Sequence, residues 1–172
     1  LHYLPIWRIG TKRAVHGVEA LLRWRHPDQG LLRPASFMDL ADQSAVADDV
    51  IDWVLAEACR HAAGWREAGL TPRVGLNMSH NQLLAENFAE RFLAVLAEHG
   101  LQANQFLIEL TESAWTVDSK ETLAVVASLR RSGTSFAIDD FGAGYSSLSR
   151  LRERSFDVIK IDRGLVAAVP GE

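Results

Sequence analysis

Phe136-Ala137-Ile138-Asp139-Asp140-Phe141-Gly142-Ala143-Gly144-Tyr145 joins a short apolar run to two adjacent carboxylates and then to a glycine-rich turn. The apolar run predicts a buried strand, and the glycines predict a tight loop leaving its C-terminal end. Two neighbouring aspartates at a buried strand end repel each other unless positive charge stands beside them. A hard divalent cation such as Mg²⁺ answers that need, because it takes carboxylate oxygens and neutralises the pair. An isolated Asp-Asp is ordinarily a solvated turn. Here the pair has company.

Working backward, Phe106-Leu107-Ile108-Glu109-Leu110-Thr111-Glu112 sets an acid inside a β-favouring apolar run, and Val74-Gly75-Leu76-Asn77-Met78-Ser79 sets an amide in the same situation. Val18-Glu19-Ala20-Leu21-Leu22-Arg23-Trp24 holds another acid. Working forward, Phe156-Asp157-Val158-Ile159-Lys160-Ile161-Asp162 carries a lysine near its end. Most of these runs are separated by helical patterns, which argues for βα units and a parallel sheet. In a parallel barrel the C-terminal strand ends meet on one face, so Glu19, Asn77, Glu109, Asp139, Asp140 and Lys160 are expected to converge there. Carboxylate, amide and water oxygens are the ligands that Mg²⁺ or Mn²⁺ prefer. A single such residue would be read as a structural ion pair; five strand ends with this chemistry read as a site.

The 172 residues are 48% hydrophobic with 18 basic and 22 acidic side chains, a formal net charge of −4. That composition supports one core and carries no electrostatic footprint for duplex nucleic acid. Arg130-Arg131 and Arg150, Arg152 and Arg154 read as solvated helix faces. No apolar run reaches the roughly 18 residues of a membrane span, so no direct membrane insertion is expected. The single Cys59 makes no internal disulfide and reads as a small core residue in a reducing, cytoplasmic setting, although a parent protein with a membrane anchor fits equally. The six histidines lack paired ligand spacing, which argues against zinc, and most of the five tryptophans read as core or helix-packing residues.

One domain is expected over residues 1–172. Residues 3–9 and 15–24 read as two strands whose short joint makes them antiparallel. Proline early in residues 34–37 suits a helix start. Residues 48–68 form a long amphipathic helix with Ile51, Val54, Leu55, Ala58 and Ala62 on one face, and residues 87–99 and 119–131 are further helices stopped by Gly100 and Gly133. Residues 134–139 and 156–161 are the fifth and sixth strands. Leu21, Leu76, Leu107, Ile108, Ile138 and Ile159 are expected in the barrel interior. A closed eight-stranded barrel needs about 250 residues, so six of eight strands are encoded and the chain reads as a segment of a larger protein.

Taken together, these residues closely resemble the EAL domain family of cyclic di-GMP phosphodiesterases. The naming signature stands as Glu19-Ala20-Leu21, extended through Leu22-Arg23-Trp24-Arg25-His26-Pro27. Asn77-Met78-Ser79, Glu109-Leu110-Thr111-Glu112-Ser113, Asp139-Asp140-Phe141-Gly142-Ala143-Gly144 and Lys160-Ile161-Asp162-Arg163 match its later motifs in order, over essentially the whole chain. The resemblance implies an α/β TIM-type barrel with the first two strands antiparallel, hydrolysing cyclic di-GMP to linear pGpG with Mg²⁺ or Mn²⁺. Glu19, Asn77, Glu109 and Asp139 would bind one ion, with Asp140 reaching a second when the site is complete. Glu19, Asp140 and Lys160 would serve catalysis, Lys160 by orienting the attacking water, with a pKa that nearby cations lower. Arg23, Leu22 and Asp162 would contact the dinucleotide. Glu112 would anchor the loop 141–147, including Phe141, Gly142 and Gly144, which in this family couples metal binding, dimerisation and activity.

A homodimer and an accompanying sensory or GGDEF-type domain are the partners this implies. Two features depart from the family: Leu4 stands where a glutamine precedes Pro5, and the seventh-strand glutamate motif and the Gln-Gly-Tyr region after it lie outside these residues, so the metal site as encoded is expected to lack one carboxylate. A catalytically inactive cyclic di-GMP receptor or protein-interaction module is the alternative, and retention of Glu19 and the Asp139-Asp140 pair favours the enzyme. A barrel metalloenzyme using Lys160 as a proton-abstracting base is a third reading, against which the motifs argue.

Overall fold

A computed structural model describes residues 1–10, 14–115, 119–143 and 156–167. Its main sheet has six strands in the order β1-β2-β5-β6-β7-β8: β1 (His2–Arg8), β2 (Ala14–Leu21), β5 (Arg73–Asn77), β6 (Phe106–Thr111), β7 (Ser135–Phe141) and β8 (Val158–Ile161). β1 runs antiparallel to β2, and every later neighbour is parallel. This is the expected barrel wall, with the C-terminal ends of five strands at one rim.

The helices follow the apolar periodicity. α1 (Met38–Asp42) is preceded by a 3₁₀ turn, Pro34–Ser36, so the proline opens a tighter turn than the expected helix. α2 (Ala47–Glu67) buries Ile51, Val54, Leu55, Ala58, Cys59 and Ala62. α3 (His80–Leu83) starts with a capping box in which Ser79 and Gln82 satisfy each other's backbone N–H groups. α4 (Phe88–Glu98), α5 (Glu112–Trp115), α6 (Lys120–Arg131) and a short α7 (Arg163–Ala167) follow. A hairpin, β3 (Trp24–His26) with β4 (Gly30–Leu32), interrupts the expected long second strand, which stops at Leu21.

Strand parity divides the sheet into two faces. Glu19, Gly75, Glu109, Asp139 and Lys160 share one face, because Lys160 contacts all three carboxylates and Glu109 lies over Gly75. Val18, Ala20, Val74, Leu76, Ile108, Leu110, Phe136 and Ile138 therefore point the other way, and they pack with Leu55, Phe92 and Leu129 of the helices in one core cluster. This corrects the expected interior. Leu76, Ile108 and Ile138 are buried, but beneath the helices; Leu107 alone of the expected set is buried on the barrel side. Ile159 is 48% exposed and Leu21 only half-buried.

The tryptophans also depart from expectation. Trp115 is buried and Trp65 partly so, whereas Trp7, Trp24 and Trp53 are exposed. Cys59 is a core residue as expected, and burial pushes its thiol up to about 12. No helix among the described residues is long and apolar enough to cross a membrane.

Candidate active site

Five strands deliver the central cluster. Lys160 from β8 donates to Asp139 Oδ2 of β7 at 3.0 Å, lies 3.4 Å from Glu19 Oε2 of β2, and makes a close ion pair with Glu109 Oε2 of β6. Asn77 at the end of β5 donates from Nδ2 to Glu19 Oε1 at 2.7 Å. The register is staggered: Glu19 pairs with Gly75, Asn77 with Glu109 and Thr111 with Asp139, so the acids step along by two residues from β2 to β6 and again from β6 to β7 while staying on one face.

Three carboxylates thus face one ammonium. Carboxylate oxygens of Glu19, Glu109 and Asp139 all lie within 4.8 Å of one another, a spacing that could hold a metal ion. Burial pushes Glu109 up to about 7 against the opposing pull of Lys160. Burial alone would lower the pKa of Lys160, but Glu109, Asp139 and Glu19 outweigh it and hold the ammonium above its ordinary value. The expected lowering supposes cations bound beside Lys160; the neighbours described are anions, and they act in the opposite sense. Glu109 Oε1 is buried and accepts no hydrogen bond among the described residues. An unpaired buried carboxylate oxygen is costly, and a cation among these oxygens is the chemistry that relieves it, so the donor set fits a hard divalent ion.

Adjacent aspartates on a strand should point to opposite faces. Asp140 escapes that rule by adopting φ 53°, coinciding with a register shift between Ile138 and Phe141. Its side chain joins Asn77, Glu109, Leu22 and Thr111 in lining a cleft of about 800 Å³. Although the residue is largely exposed, partial desolvation at the cleft wall first, then the neighbouring Asp139 and Asp162 charges, raise its pKa. Met38 also lines this cleft, and nothing in its sequence surroundings marks it; Pro34, read only as a helix start, and Ser113, read only as part of a motif, line it too.

The remaining expected residues have local engagements. Glu112 accepts from Gly142 N–H at 3.4 Å, long for a charge-assisted bond, and Gly142 takes φ 92°. Phe141 O accepts from Asp162 N–H at 3.1 Å, and Asp162 Oδ1 accepts from Gly164 N–H at 2.8 Å. Arg23 donates to Leu22 O at 2.7 Å rather than reaching the carboxylate cluster. Leu4 pairs with Glu19 in the β1–β2 register and is exposed. Gly144 and the basic residues Arg150, Arg152 and Arg154 lie outside the described residues; Arg130 is not merely solvated, since it pairs with Asp157 at 3.0 Å.

Comparison with known proteins gives this arrangement a context. The family model for the EAL domain matches residues 1–172. The chain is 39% identical over 171 residues to the cyclic di-GMP phosphodiesterase NbdA of Pseudomonas aeruginosa, covering 99% of this chain and 22% of that protein. It is 35% identical over 167 residues to the bifunctional diguanylate cyclase/cyclic di-GMP phosphodiesterase MucR of the same organism, covering 96% of this chain and 24% of MucR. It therefore spans about a quarter of the length of these curated relatives. Among solved structures, the PaMucR phosphodiesterase in complex with c-di-GMP superposes with a TM-score of 0.87 at 35% identity, over 96% of this chain and 67% of that one.

Proposed function

This chain belongs to the EAL domain family, and we propose on that premise that it hydrolyses one phosphodiester bond of cyclic di-GMP to give linear pGpG. Water adds to one phosphorus, the bond to the 3′ oxygen breaks, and the leaving alkoxide gains a proton. The observation that carries the reading is the meeting of Glu19, Glu109 and Asp139 around Lys160, with one oxygen of Glu109 left unpaired.

Glu19, Asn77, Glu109 and Asp139 would hold a first Mg²⁺ or Mn²⁺, and Asp140 would reach a second. Ions held there would supply Lewis acidity toward the phosphodiester and offset negative charge as it builds on the phosphoryl oxygens. Lys160 stands among the carboxylates, where its ammonium can orient the attacking water and hold charge near the reacting phosphate. Asn77 fixes Glu19 through its 2.7 Å bond, so that carboxylate meets the ligand already oriented. The cleft beside the cluster offers Leu22, Met38 and Pro34 as an apolar wall for a purine base. Glu112 steadies the turn after Asp140 through Gly142. The relatives' names support the substrate, and MucR's bifunctional description supports a cyclase-type domain alongside this one. Dimerisation through the loop after Asp140 belongs to the same proposal.

Release of pGpG from cyclic di-GMP, measured with Mg²⁺ or Mn²⁺, tests the reading. Turnover is expected from a protein that also carries the seventh-strand glutamate, with loss of at least a hundredfold in Asp139→Asn, and little or none from residues 1–172 alone. Tight binding of cyclic di-GMP by that longer protein without turnover in any divalent ion would instead assign the chain to the receptor class.

A further inference from the structure

Gly75 lies in the middle of β5, two residues before Asn77, on the face that carries the carboxylate cluster. A glycine inside a strand forgoes side-chain packing and often marks a close approach by another group. Here the approaching group is Glu109. A Cβ built at Gly75 would collide with Glu109 Oε1 and stand 3.0 Å from its Cδ, while the nearest backbone atom, Val18 O, would be an ordinary 3.6 Å away. The backbone around Gly75 thus has room for a methyl group; only the carboxylate tip does not. Gly75 needs no positive φ, so its conformation alone gives no reason for glycine. Gly17 on the neighbouring strand contrasts with it, since a Cβ there would meet the Arg73 carbonyl oxygen at 2.7 Å, a backbone clash of structural consequence.

We propose that Gly75 is a positioning residue for the site: the missing side chain is the space into which the Glu109 carboxylate folds, and it sets where Oε1 stands relative to Glu19 and Asp139. Oε1 is the buried oxygen without a hydrogen-bond partner, so the glycine shapes the ligand with the most to gain from a cation. The inference rests on the metal-site reading above for its functional meaning, while its geometric content stands apart from that reading. A methyl group at position 75 displaces the carboxylate without dismantling the strand, because the colliding atom is the end of a flexible side chain. Shortening Glu109 by one methylene should return part of the lost space.

The test uses the full chain as wild type, Gly75→Ala, Glu109→Asp and the double variant. Isothermal titration with Mn²⁺ should show at least a tenfold loss of affinity in Gly75→Ala, in the range that displaced supporting groups cause around metals. The double variant should bind more tightly than Gly75→Ala. Thermal melting should leave Gly75→Ala folded, and its kcat should fall more than its KM rises. Affinity in Gly75→Ala equal to wild type overturns the proposal, as does a crystal structure of Gly75→Ala with the carboxylate in its original place. Should wild type bind no Mn²⁺, the metal-site reading fails, and the crystal structure of Gly75→Ala still decides whether Gly75 sets the position of Glu109.

Discussion

Asp140 is held at φ 53°, a left-handed value that costs an ordinary L-residue roughly 1–2 kcal/mol and that Asn and Asp tolerate best. The conformation is what lets two sequential aspartates serve one rim. The Asp-Asp pair ahead of Gly142 is legible in the sequence, but the backbone reversal at Asp140 is not, because two aspartates near a glycine are equally the signature of an ordinary solvated turn. Asp140→Asn should therefore keep the fold while losing the charge, whereas Asp140→Val should destabilise it by about 1–2 kcal/mol in chemical denaturation. Asp140 is exposed, so lost packing would not account for the difference. Equal stabilities would remove the strain from the account. Lys160 shows a second limit of reading residues singly: its neighbours decide its proton affinity, and they come from three other strands.

At the level of elements, apolar runs disclosed all six strands of the main sheet, yet parity misplaced their side chains. Leu76, Ile108 and Ile138 each sit in a short stretch of consecutive apolar residues, which by itself does not say which face meets helices. The polar residue in each run holds that information: once Glu109 is placed on the site face, Ile108 must point to the opposite face, into the core shared with the helices. The β3–β4 hairpin escaped notice because its strands are three residues each and carry Arg25 and His26.

The edge strand β1 is tied to α2 by Tyr3 and His61, whose Nδ1 lies 2.8 Å from the phenol oxygen, while Arg60 Nη2 lies 3.0 Å from Nε2. Arginine only donates, so Nε2 accepts and Nδ1–H donates to Tyr3. Burial first, then the Arg60 charge, lower the His61 pKa. With the folded value below the unfolded one, the unfolded chain binds more protons, so stability falls as pH drops below about 6.5, the ordinary histidine value. Between pH 7.5 and 5.5 the wild type should lose stability, read as denaturation midpoints, relative to His61→Gln, a comparison in which the opposite contribution of Glu109, raised to about 7, is common to both proteins. An unchanged slope in that variant would place the pH dependence elsewhere.

For the whole molecule, the sheet is a device for bringing like charges together. Three carboxylates on β2, β6 and β7 share one lysine on β8, and the core beneath the helices supplies the stability that holds them there. Adding a cation that binds only the folded state should stabilise the whole chain, by about 2.7 kcal/mol at a hundredfold excess over Kd. For a chain of this size that is a rise in Tm of roughly 5–10 °C. Scanning calorimetry with and without Mn²⁺ checks it, and Glu19→Gln should shrink the rise; an equal rise in that variant would move the ion away from this cluster.

Cys59 lies in the middle of α2, sealed against the sheet, with its thiol pushed up to about 12 by burial. Reaction with a maleimide needs thiolate and access, and the closed molecule offers neither. Alkylation of this one sulfur can advance only during moments when α2 lifts away from the strands, which makes it a clock for native-state opening. Read in the presence and absence of Mn²⁺, the clock connects the two halves of the molecule: slower labelling with the ion would mean that charge neutralised at the rim is felt as tighter closure on the opposite face of the sheet.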